Sequence, residues 1–390
     1  MRTRLSAPSG STSASASALS RTRLHQARLR ALACATLATL LLLGGCSSSK
    51  YYDPSKSNRT PDGFRNNYQQ EPRASFWKWQ WERLTQGLPK PPANHYEFEM
   101  VRPDFEWLKD NRTVNSATWI GHATALLQIG NKNVLTDPMF SERASPFSFV
   151  GPKRKAPLPA VISQLPHIDI VVISHNHYDH LDRPSIEQLN LQPGGPPLFL
   201  VPLGVAEWMN QIGVTNVREL DWWDKSSIEN LDIFFVPAAH WSARGLFDRS
   251  ETLWGGWVLR SVAPPEHSRA TRKPFMPPAS IYFAGDTGYS KDFRDIGEYF
   301  GGFDLALIPI GAYAPRWFMR TQHVDPEQAV MIHEDVHAKR SFGIHWGTFE
   351  LADEPLDEPP VLLREAVKKA GLPPDSFITI KHGETLKLNE

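Results

Sequence analysis

The sequence Ile168-Asp169-Ile170-Val171-Val172-Ile173-Ser174 is followed at once by His175-Asn176-His177-Tyr178-Asp179-His180. The first part is a β-branched run, which is typical of a strand buried on both faces of a sheet. The second part places four candidate metal ligands at the end of that strand. Imidazole and carboxylate groups suit zinc, although iron and manganese also accept them. The stretch therefore predicts a buried strand that leads into a metal site.

A short turn after this strand would divide the four ligands between two ions. In a regular strand alternate side chains point to the same face, so His175 and His177 would converge on one ion. A turn beginning at Tyr178 would then direct Asp179 and His180 toward a second ion.

Single candidate ligands follow other predicted strands in the same manner. They are His240 after Ile233–Val236, Asp286 after Ile281–Ala284, and His345 after Ser341–Ile344. Taken alone, each residue would more often serve as a cap or in the core. Gly285 and Gly288 flank Asp286 and would let the backbone approach closely. Together with residues 175–180, these residues form a set that fits one site.

The rest of the chain predicts an α/β domain with helices on the outside. Further strands are predicted at Ala125–Ile129, Val134–Thr136, Leu198–Val201, Leu305–Ile310 and Phe377–Ile380. Helices are predicted at Pro184–Leu189, Val205–Gln211, Pro326–Val336 and Pro359–Ala370. Asp325 as the cap and Pro326 in the first turn make a typical helix start.

The composition narrows the function. The chain of 390 residues has a formal net charge of zero, which gives no support for a nucleic-acid partner. Both cysteines, Cys34 and Cys46, lie near the amino terminus, so the body of the protein offers no thiolate as nucleophile or metal ligand. A metal site must therefore be built from histidine, aspartate and glutamate.

Residues 1–46 predict a targeting segment. They contain several arginines and no acidic residue, and the apolar run Ala31–Leu43 is followed by Gly44-Gly45-Cys46. The run is too short for a membrane span of ~20 residues. We interpret the segment as a signal peptide that ends at a lipobox cysteine, Cys46, and anchors the protein by lipid in a bacterial cell envelope (outer membrane or periplasm). A mitochondrial transit peptide is the alternative, because arginine-rich leaders without acidic residues also have that role.

Residues 47–94 are predicted to form a tether or N-terminal extension, since they are rich in serine, asparagine, glutamine and proline. The cluster Phe76-Trp77-Lys78-Trp79-Gln80-Trp81 interrupts this segment. Contact with a membrane surface and packing on the domain would each account for it, and the sequence does not decide between them.

Several motifs together resemble those of the metallo-β-lactamase superfamily, and within it the N-acylphosphatidylethanolamine-hydrolysing phospholipase D group. Besides His-x-His-x-Asp-His at residues 175–180, they are Gly121-His122-Ala123-Thr124, residues 311–319, residues 322–330, residues 344–349 and Lys381-His382-Gly383-Glu384. The match extends from about residue 70 to the C-terminus and departs at Val258–Pro278, which looks like a proline-rich insert.

The resemblance implies a metallo-β-lactamase-type hydrolase domain at residues 95–390, an α/β fold of the αββα four-layer sandwich type. Its site would hold two zinc ions at one edge of the two sheets. By motif, His175, His177 and His240 would bind the first ion, Asp179, His180 and His345 the second, and Asp286 would bridge both.

The resemblance also implies hydrolysis of N-acylphosphatidylethanolamine to N-acylethanolamine and phosphatidic acid, by attack of a metal-bridging hydroxide. The partners would be a phospholipid substrate and a membrane surface. Asp179, Asp286 and His323 are the candidate catalytic residues. His323 stands just before a predicted helix N-terminus, which favours anions, so it would either hold or protonate the substrate phosphate or act as a structural cap. Asp182 and His122 would each either support a ligand or have a purely structural role.

Four other functions fit parts of the sequence. The same site would serve a lactonase or a small-molecule phosphodiesterase, and a non-catalytic lipoprotein could use the same fold for binding. His333-Glu334-Asp335-Val336-His337 matches the H-E-x-x-H pattern of zinc proteases. That pattern lacks an evident third ligand, and we interpret it as a solvated helix face. The sequence does not determine the oligomeric state.

Overall fold

The computed structural model describes residues 48–68, 71–72, 74–88, 96–263 and 276–388, so the predicted signal peptide and Cys46 lie outside the described residues. The helices are α1 Phe76–Gln86, α2 Phe105–Asp110, α3 Arg183–Asn190, α4 Val205–Gln211, α5 Asp292–Phe300, α6 Arg316–Met319, α7 Pro326–Asp335 and α8 Pro359–Lys369. The strands are β1 Arg59–Thr60, β2 Gly63–Phe64, β3 Ser116–Gly121, β4 Thr124–Ile129, β5 Lys132–Thr136, β6 Ile170–Val172, β7 Leu198–Pro202, β8 Val217–Leu220, β9 Lys225–Ile228, β10 Leu231–Val236, β11 Gly256–Ser261, β12 Ser280–Phe283, β13 Leu305–Pro309, β14 Ser341–Ile344, β15 Phe377–Ile378 and β16 Thr385–Lys387.

Two seven-stranded mixed sheets lie at the centre of the domain. Their orders are β16-β3-β4-β5-β6-β7-β8 and β15-β14-β13-β12-β11-β10-β9. In the first sheet β5 to β8 are parallel and the strands on the β16 side antiparallel. In the second sheet β12 to β15 are parallel and the strands on the β9 side antiparallel. Each sheet therefore has one parallel half.

The apolar side chains form three layers of core, one between the sheets and one on the outer face of each. Strands of both sheets contribute to the central core, for example Trp119 and Phe342. Helices α2, α3 and α4 cover the first sheet, and α5, α7 and α8 cover the second. This arrangement confirms the predicted αββα four-layer sandwich.

Strand β6 shows why the sequence run around it is apolar throughout. Ile170 and Val172 face the central core, whereas Val171 and Ile173 face the helices, as expected for a strand buried on both faces. The predicted strand extended to Ser174 but ends at Val172. The reason is that the Ser174 N–H donates to the Asp137 carboxylate and not to a neighbouring strand (2.7 Å).

The prediction that Val258–Pro278 is an insert is wrong for its first part. Residues 256–261 form β11, which pairs with β10 on one side and β12 on the other. The apolar residues Val258 and Leu259 are fully buried on opposite faces of the sheet. Residues 264–275 lie outside the described residues.

The described part of residues 47–94 packs on the domain as an N-terminal extension, so the tether interpretation does not hold for it. Lys56 and Arg59 form ion pairs with Asp221. Helix α1 places the Trp79 ring against Phe318, with 4.6 Å between the ring centroids. Ion pairing and aromatic stacking therefore fix this segment to the catalytic body.

Candidate metal centre

The candidate ligands converge because they follow strands that run in the same direction. Residues 175–180 follow β6, while His240, Asp286 and His345 follow β10, β12 and β14 of the second sheet. Strand β11 is antiparallel to both β10 and β12, so β10 and β12 run in the same direction. Strands β12, β13 and β14 are parallel, and β10, β12 and β14 therefore end at the same edge of the sheet. All seven sequence-predicted ligands are thereby brought together at one edge of the sandwich.

One group consists of His175, His177 and His240. Ring nitrogens of these residues lie within 4.8 Å of one another. His175 Nε2 is 2.7 Å from His177 Nδ1, and His240 Nε2 is 3.3 Å from the same atom. The Gln322 carbonyl lies 2.8 Å from His240 Nδ1 and leaves Nε2 directed into the group. Three imidazoles in this arrangement suit a first-row transition metal.

The second group consists of Asp179, His180 and His345, together with His122. Asp179 Oδ2 lies 3.3 Å from His180 Nε2 and 3.4 Å from His345 Nε2. His122 Nε2 is 2.9 Å from the same carboxylate oxygen. His122, for which the sequence left two roles open, therefore contacts a candidate ligand directly.

Asp286 lies between the two groups. Its Oδ2 atom is 3.2 Å from His180 Nε2, 3.8 Å from His240 Nε2 and 4.0 Å from His175 Nε2. Its Oδ1 atom is 3.1 Å from His345 Nε2. One carboxylate therefore reaches ligand atoms of both groups, which is the position that a bridging ligand requires.

The carboxylates and imidazoles of the site shift one another's pKa values, each favouring the charged form of the other. Burial works against ionisation of Asp286, but His180 and His345 outweigh it and hold the pKa of Asp286 well below its usual range. Burial likewise works against protonation of His345, but Asp286 and Asp179 raise its pKa to about 9. In the absence of a cation, these interactions favour an ionised Asp286 beside a protonated His345. A bound cation would take the place of that proton.

Several buried side-chain nitrogen and oxygen atoms of the site make no hydrogen bond of acceptable geometry, although some of them lie close together. They include His177 Nε2, His180 Nε2, His345 Nε2 and Asp286 Oδ1. Buried polar atoms are nearly always paired in folded proteins, and these four atoms all belong to ligand-type groups that surround one space. The residues present therefore fit a metal ion.

Close packing around residue 285 explains why it is a glycine, as the sequence predicted. A Cβ atom at this position would lie 2.6 Å from Ser174 Cβ and 3.0 Å from the Gly255 carbonyl oxygen. The backbone also has a φ of 63° here, which favours glycine. Glycine thus allows the strand that carries Asp286 to approach the strand that carries His175.

Asp137 is the main site residue that sequence analysis missed. It is fully buried, and its Oδ2 atom lies 2.7 Å from His180 Nδ1 and accepts from the Ser174 hydroxyl. A carboxylate in this position fixes the ring orientation and tautomer of a ligand histidine. The signal was available, because Asp137 directly follows β5 just as the recognised ligands follow their strands.

Asp137, and not Asp182, is the carboxylate that supports a candidate ligand histidine. The Asp182 carboxylate accepts from Ser141 and Ser185 at the start of α3 and makes no described hydrogen bond to a candidate ligand. Its side chain therefore joins the loop after β5 to the helix start, a structural role.

His323 lies in the site, but for a different reason than the sequence suggested. Its Nδ1 atom is 3.8 Å from Asp286 Oδ2 and has no hydrogen-bond partner. The N-terminus of α7 is capped by Asp325, whose side chain accepts from Gln328 N, so this helix end is already satisfied. Burial lowers the pKa of His323 to about 4, and the ring is therefore neutral at neutral pH.

The H-E-x-x-H pattern does not form a second metal site. His333 is buried, its Nδ1 atom lies 2.7 Å from the Ser341 hydroxyl, and its ring stacks on Phe377. His337 lies beyond the end of α7 with a φ of 53°. The prediction of a solvated helix face is therefore wrong for His333, although the pattern has the structural role that we expected.

Residues 132–346 match the family model described as the beta-lactamase superfamily domain. The chain is 41% identical over 281 residues to N-acyl-phosphatidylethanolamine-hydrolyzing phospholipase D 1 of Caenorhabditis elegans, which covers 69% of this chain and 74% of that protein. It is 37% identical over 248 residues to the mitochondrial protein of that name from Saccharomyces cerevisiae, covering 62% of this chain and 49% of the yeast protein. The chain thus spans only about half the length of the yeast relative.

A solved structure shows the same fold at lower identity. It is Igni18, a metallo hydrolase from the archaeon Ignicoccus hospitalis, with a TM-score of 0.51 and 21% identity over 71% of this chain and 100% of the other. At this identity the likeness concerns the fold alone.

Proposed function

The chain belongs to the beta-lactamase superfamily and, within it, to the group of N-acyl-phosphatidylethanolamine-hydrolysing phospholipase D proteins, and from this premise we propose that it hydrolyses N-acylphosphatidylethanolamine to N-acylethanolamine and phosphatidic acid. Membership makes it a metal-dependent hydrolase. The observation that carries the proposal is the double group of ligands around Asp286, which lies within 4.0 Å of imidazole nitrogens from both groups.

We propose that two zinc ions bind there, one to His175, His177 and His240 and one to Asp179, His180 and His345, with Asp286 between them. When bound, they would supply hydroxide at neutral pH and neutralise charge on the phosphoryl oxygens.

The chain's own groups hold and orient the reacting parts. Asp286 and Asp179 are ionised, because the pKa of each lies well below its usual range, where the surrounding histidines outweigh the effect of burial. Since His323 is neutral, it can donate one N–H to a phosphoryl oxygen but adds no positive charge. Its proposed role is therefore to position the substrate phosphate, not to attract it electrostatically.

A phospholipid in a membrane surface is the proposed partner of this site. Lipid anchoring through Cys46 in a bacterial envelope remains a prediction, and the name of the yeast relative matches the mitochondrial alternative. Over the described parts of the chain, the structure contains no helix with the length and apolarity needed to cross a bilayer.

The test is lipid hydrolysis in water enriched in ¹⁸O, with the metal content of the same sample determined. We expect N-acylethanolamine as a product, about two metal ions per chain, and the heavy oxygen in phosphatidic acid. Chelation should abolish the reaction and zinc should restore it. Label in the released alcohol would contradict attack at phosphorus. Cleavage of lactones or small phosphodiesters without lipid cleavage would replace the proposed substrate.

A further inference from the structure

Two loops near the metal centre expose large apolar side chains. In residues 145–151, Phe147, Phe149 and Val150 are exposed, with Phe149 at 79%. In residues 243–248, Leu246 and Phe247 are 91% and 93% exposed. Isolated exposed apolar residues are ordinary, but five of them on two loops that border one cavity indicate a surface that a partner would cover. We call residues 145–151 and 243–248 the rim loops.

Both rim loops border one cavity of about 690 Å³, and Tyr178 of the metal-binding segment is part of its wall. Phe147 and Arg244 line it, together with Trp208 and Tyr178. Tyr178 stands between the candidate ligands His177 and Asp179 in the sequence. The second rim loop also begins just after His240, and Trp241 packs edge-on against the His177 ring with centroids 4.4 Å apart. The cavity and the start of the second rim loop therefore adjoin the candidate metal ligands.

Polar contacts hold the rim loops in shape while their apolar tips remain exposed. Arg143 donates from Nε to Ser148 O (3.1 Å) and from Nη1 to Gly151 O (2.7 Å). Asp248 accepts from the backbone N–H groups of Arg244 and Gly245 (2.9 and 2.8 Å). Because the loops are constrained in this way, the tips do not fold back onto the domain, and burying them requires something outside it.

The charges beside the patch favour an anionic surface. Of the basic side chains that flank the rim loops, Lys153, Lys155 and Arg249 are exposed, whereas Arg143, Arg154 and Arg244 are partly buried. Lys155 is paired with Glu350, and Glu142 is the exposed acidic side chain of residues 141–155. Arg249 lies over the Trp241 ring at 3.7 Å, and the Arg183 side chain in the cavity wall is exposed. Phenylalanine and leucine tips surrounded by arginine and lysine suit the interface of a bilayer that contains anionic phospholipid.

We infer that the rim loops dock on a phospholipid bilayer, with Phe149, Leu246 and Phe247 inserted among the acyl chains and the cavity between the loops facing the lipid. This inference deepens the proposed function, because it places the lipid source against the same site, and its kinetic test rests on that function. Docking itself requires no chemistry and can be measured separately.

The measurement uses an environment-sensitive fluorophore on a single cysteine. Since both native cysteines, Cys34 and Cys46, precede residue 48, the full-length chain with Cys34→Ser and Cys46→Ser gives a background without other thiols. Cysteine is then introduced in separate samples by Phe149→Cys, Phe247→Cys, Trp81→Cys and Leu191→Cys. Leu191 is the matched control, because it is 79% exposed but lies at the C-terminal end of α3.

On addition of vesicles of phosphatidylcholine and phosphatidylglycerol in equal parts, emission should shift to the blue at positions 149 and 247 and stay constant at 191. Vesicles of phosphatidylcholine alone should give a weaker response. No shift at 149 and 247 would overturn the inference. A shift at 81 alone would also overturn it and assign the membrane contact to α1, whose outer face exposes Trp77 and Trp81.

The kinetic arm compares Phe149→Asp/Phe247→Asp with Leu191→Asp. The ratio of hydrolysis in vesicles to hydrolysis of a soluble short-chain phosphodiester should fall at least about tenfold in the first variant, because two apolar side chains that would enter the acyl region are replaced by carboxylates. An unchanged ratio would count against docking. If the labels respond but no N-acylated lipid is cleaved, docking stands and the proposed function fails.

Discussion

Replacing Asp137 by asparagine tests whether this residue controls the candidate metal ligand His180, which lies far from it in the sequence. The carboxylate accepts from Ser174 N (2.7 Å) and the Ser174 hydroxyl (2.6 Å), and its Oδ2 atom lies 2.7 Å from His180 Nδ1. An amide of the same shape keeps one acceptor and adds an N–H₂ donor. If the amide nitrogen faces His180, the ring must carry its proton on Nε2, the atom that would bind metal.

The expected loss in metal affinity or activity is 10–100-fold, the range typical of such supporting carboxylates. Each lost hydrogen bond in the metal-free protein contributes ~1–3 kcal/mol, and removal of a buried charge offsets part of this. Zinc affinity is measured by chelator competition, and the free energy of unfolding by urea titration without metal. Asp182→Asn is the control, because Asp182 bonds Ser141 and Ser185 and no ligand. Equal zinc affinities for Asp137→Asn and the unmodified protein would show that Asp137 does not control the metal-binding state of His180.

Three further predictions concern the extension, pH and the metal-binding segment. Trp79→Ala should destabilise the docking of α1 by ~3–5 kcal/mol, because Trp79 is buried on Phe318. Trp77 is 80% exposed, so Trp77→Ala should change the free energy of α1 docking by less than ~0.5 kcal/mol. Amide hydrogen exchange in α1 measures both variants, and equal effects would contradict the packing of Trp79 on Phe318. Burial lowers the pKa of His382 to about 4. The pKa of a histidine in the unfolded chain is ~6.5, so the unfolded chain takes up a proton at a higher pH than the folded chain does. The contribution of neutral His382 to the free energy of unfolding is therefore complete above pH ~6.5 and falls by at most ~3 kcal/mol toward pH 4. His382→Gln should flatten urea stability over that window, and an unchanged slope would exclude the effect. Arg244→Gln should weaken zinc binding by roughly tenfold, as measured by chelator competition. Arg244 Nη1 donates to the Asn176 and Leu181 carbonyls on either side of the candidate ligands (2.8 Å each). Unchanged zinc affinity would show that residues 175–180 keep their conformation without Arg244.

Much of the fold could be predicted from local patterns. The bounds of β14 and α4 agree with the sequence prediction, since each is a short apolar or amphipathic run bounded by polar or turn residues. Strand β11 was missed, although it lies inside a sheet. Its proline-rich continuation suggested an insert, and only pairing with β10 and β12 identifies the first residues as core.

The residues that surround the candidate ligands were harder to predict than the ligands themselves. His175 to His180 stand together in the sequence, and a dense run of ligand types has few structural explanations. Asp137 and His122 are single residues, distant in sequence from the side chains that they contact. Their roles depend on β3, β5 and β6 ending at one edge, which is a property of the sheet and not of any segment.

Local sequence patterns were enough to predict the α/β class, the candidate ligand residues and the region of the chain that contains them, because periodicity and ligand spacing are properties of neighbouring residues. Tertiary structure alone decided that Asp286 lies between two histidine groups, that Trp79 packs inward while Trp77 faces outward, and that two distant loops border one cavity. These features depend on contacts between residues far apart in the chain, which arise only when the two sheets pack face to face and bring their strand ends to a common edge.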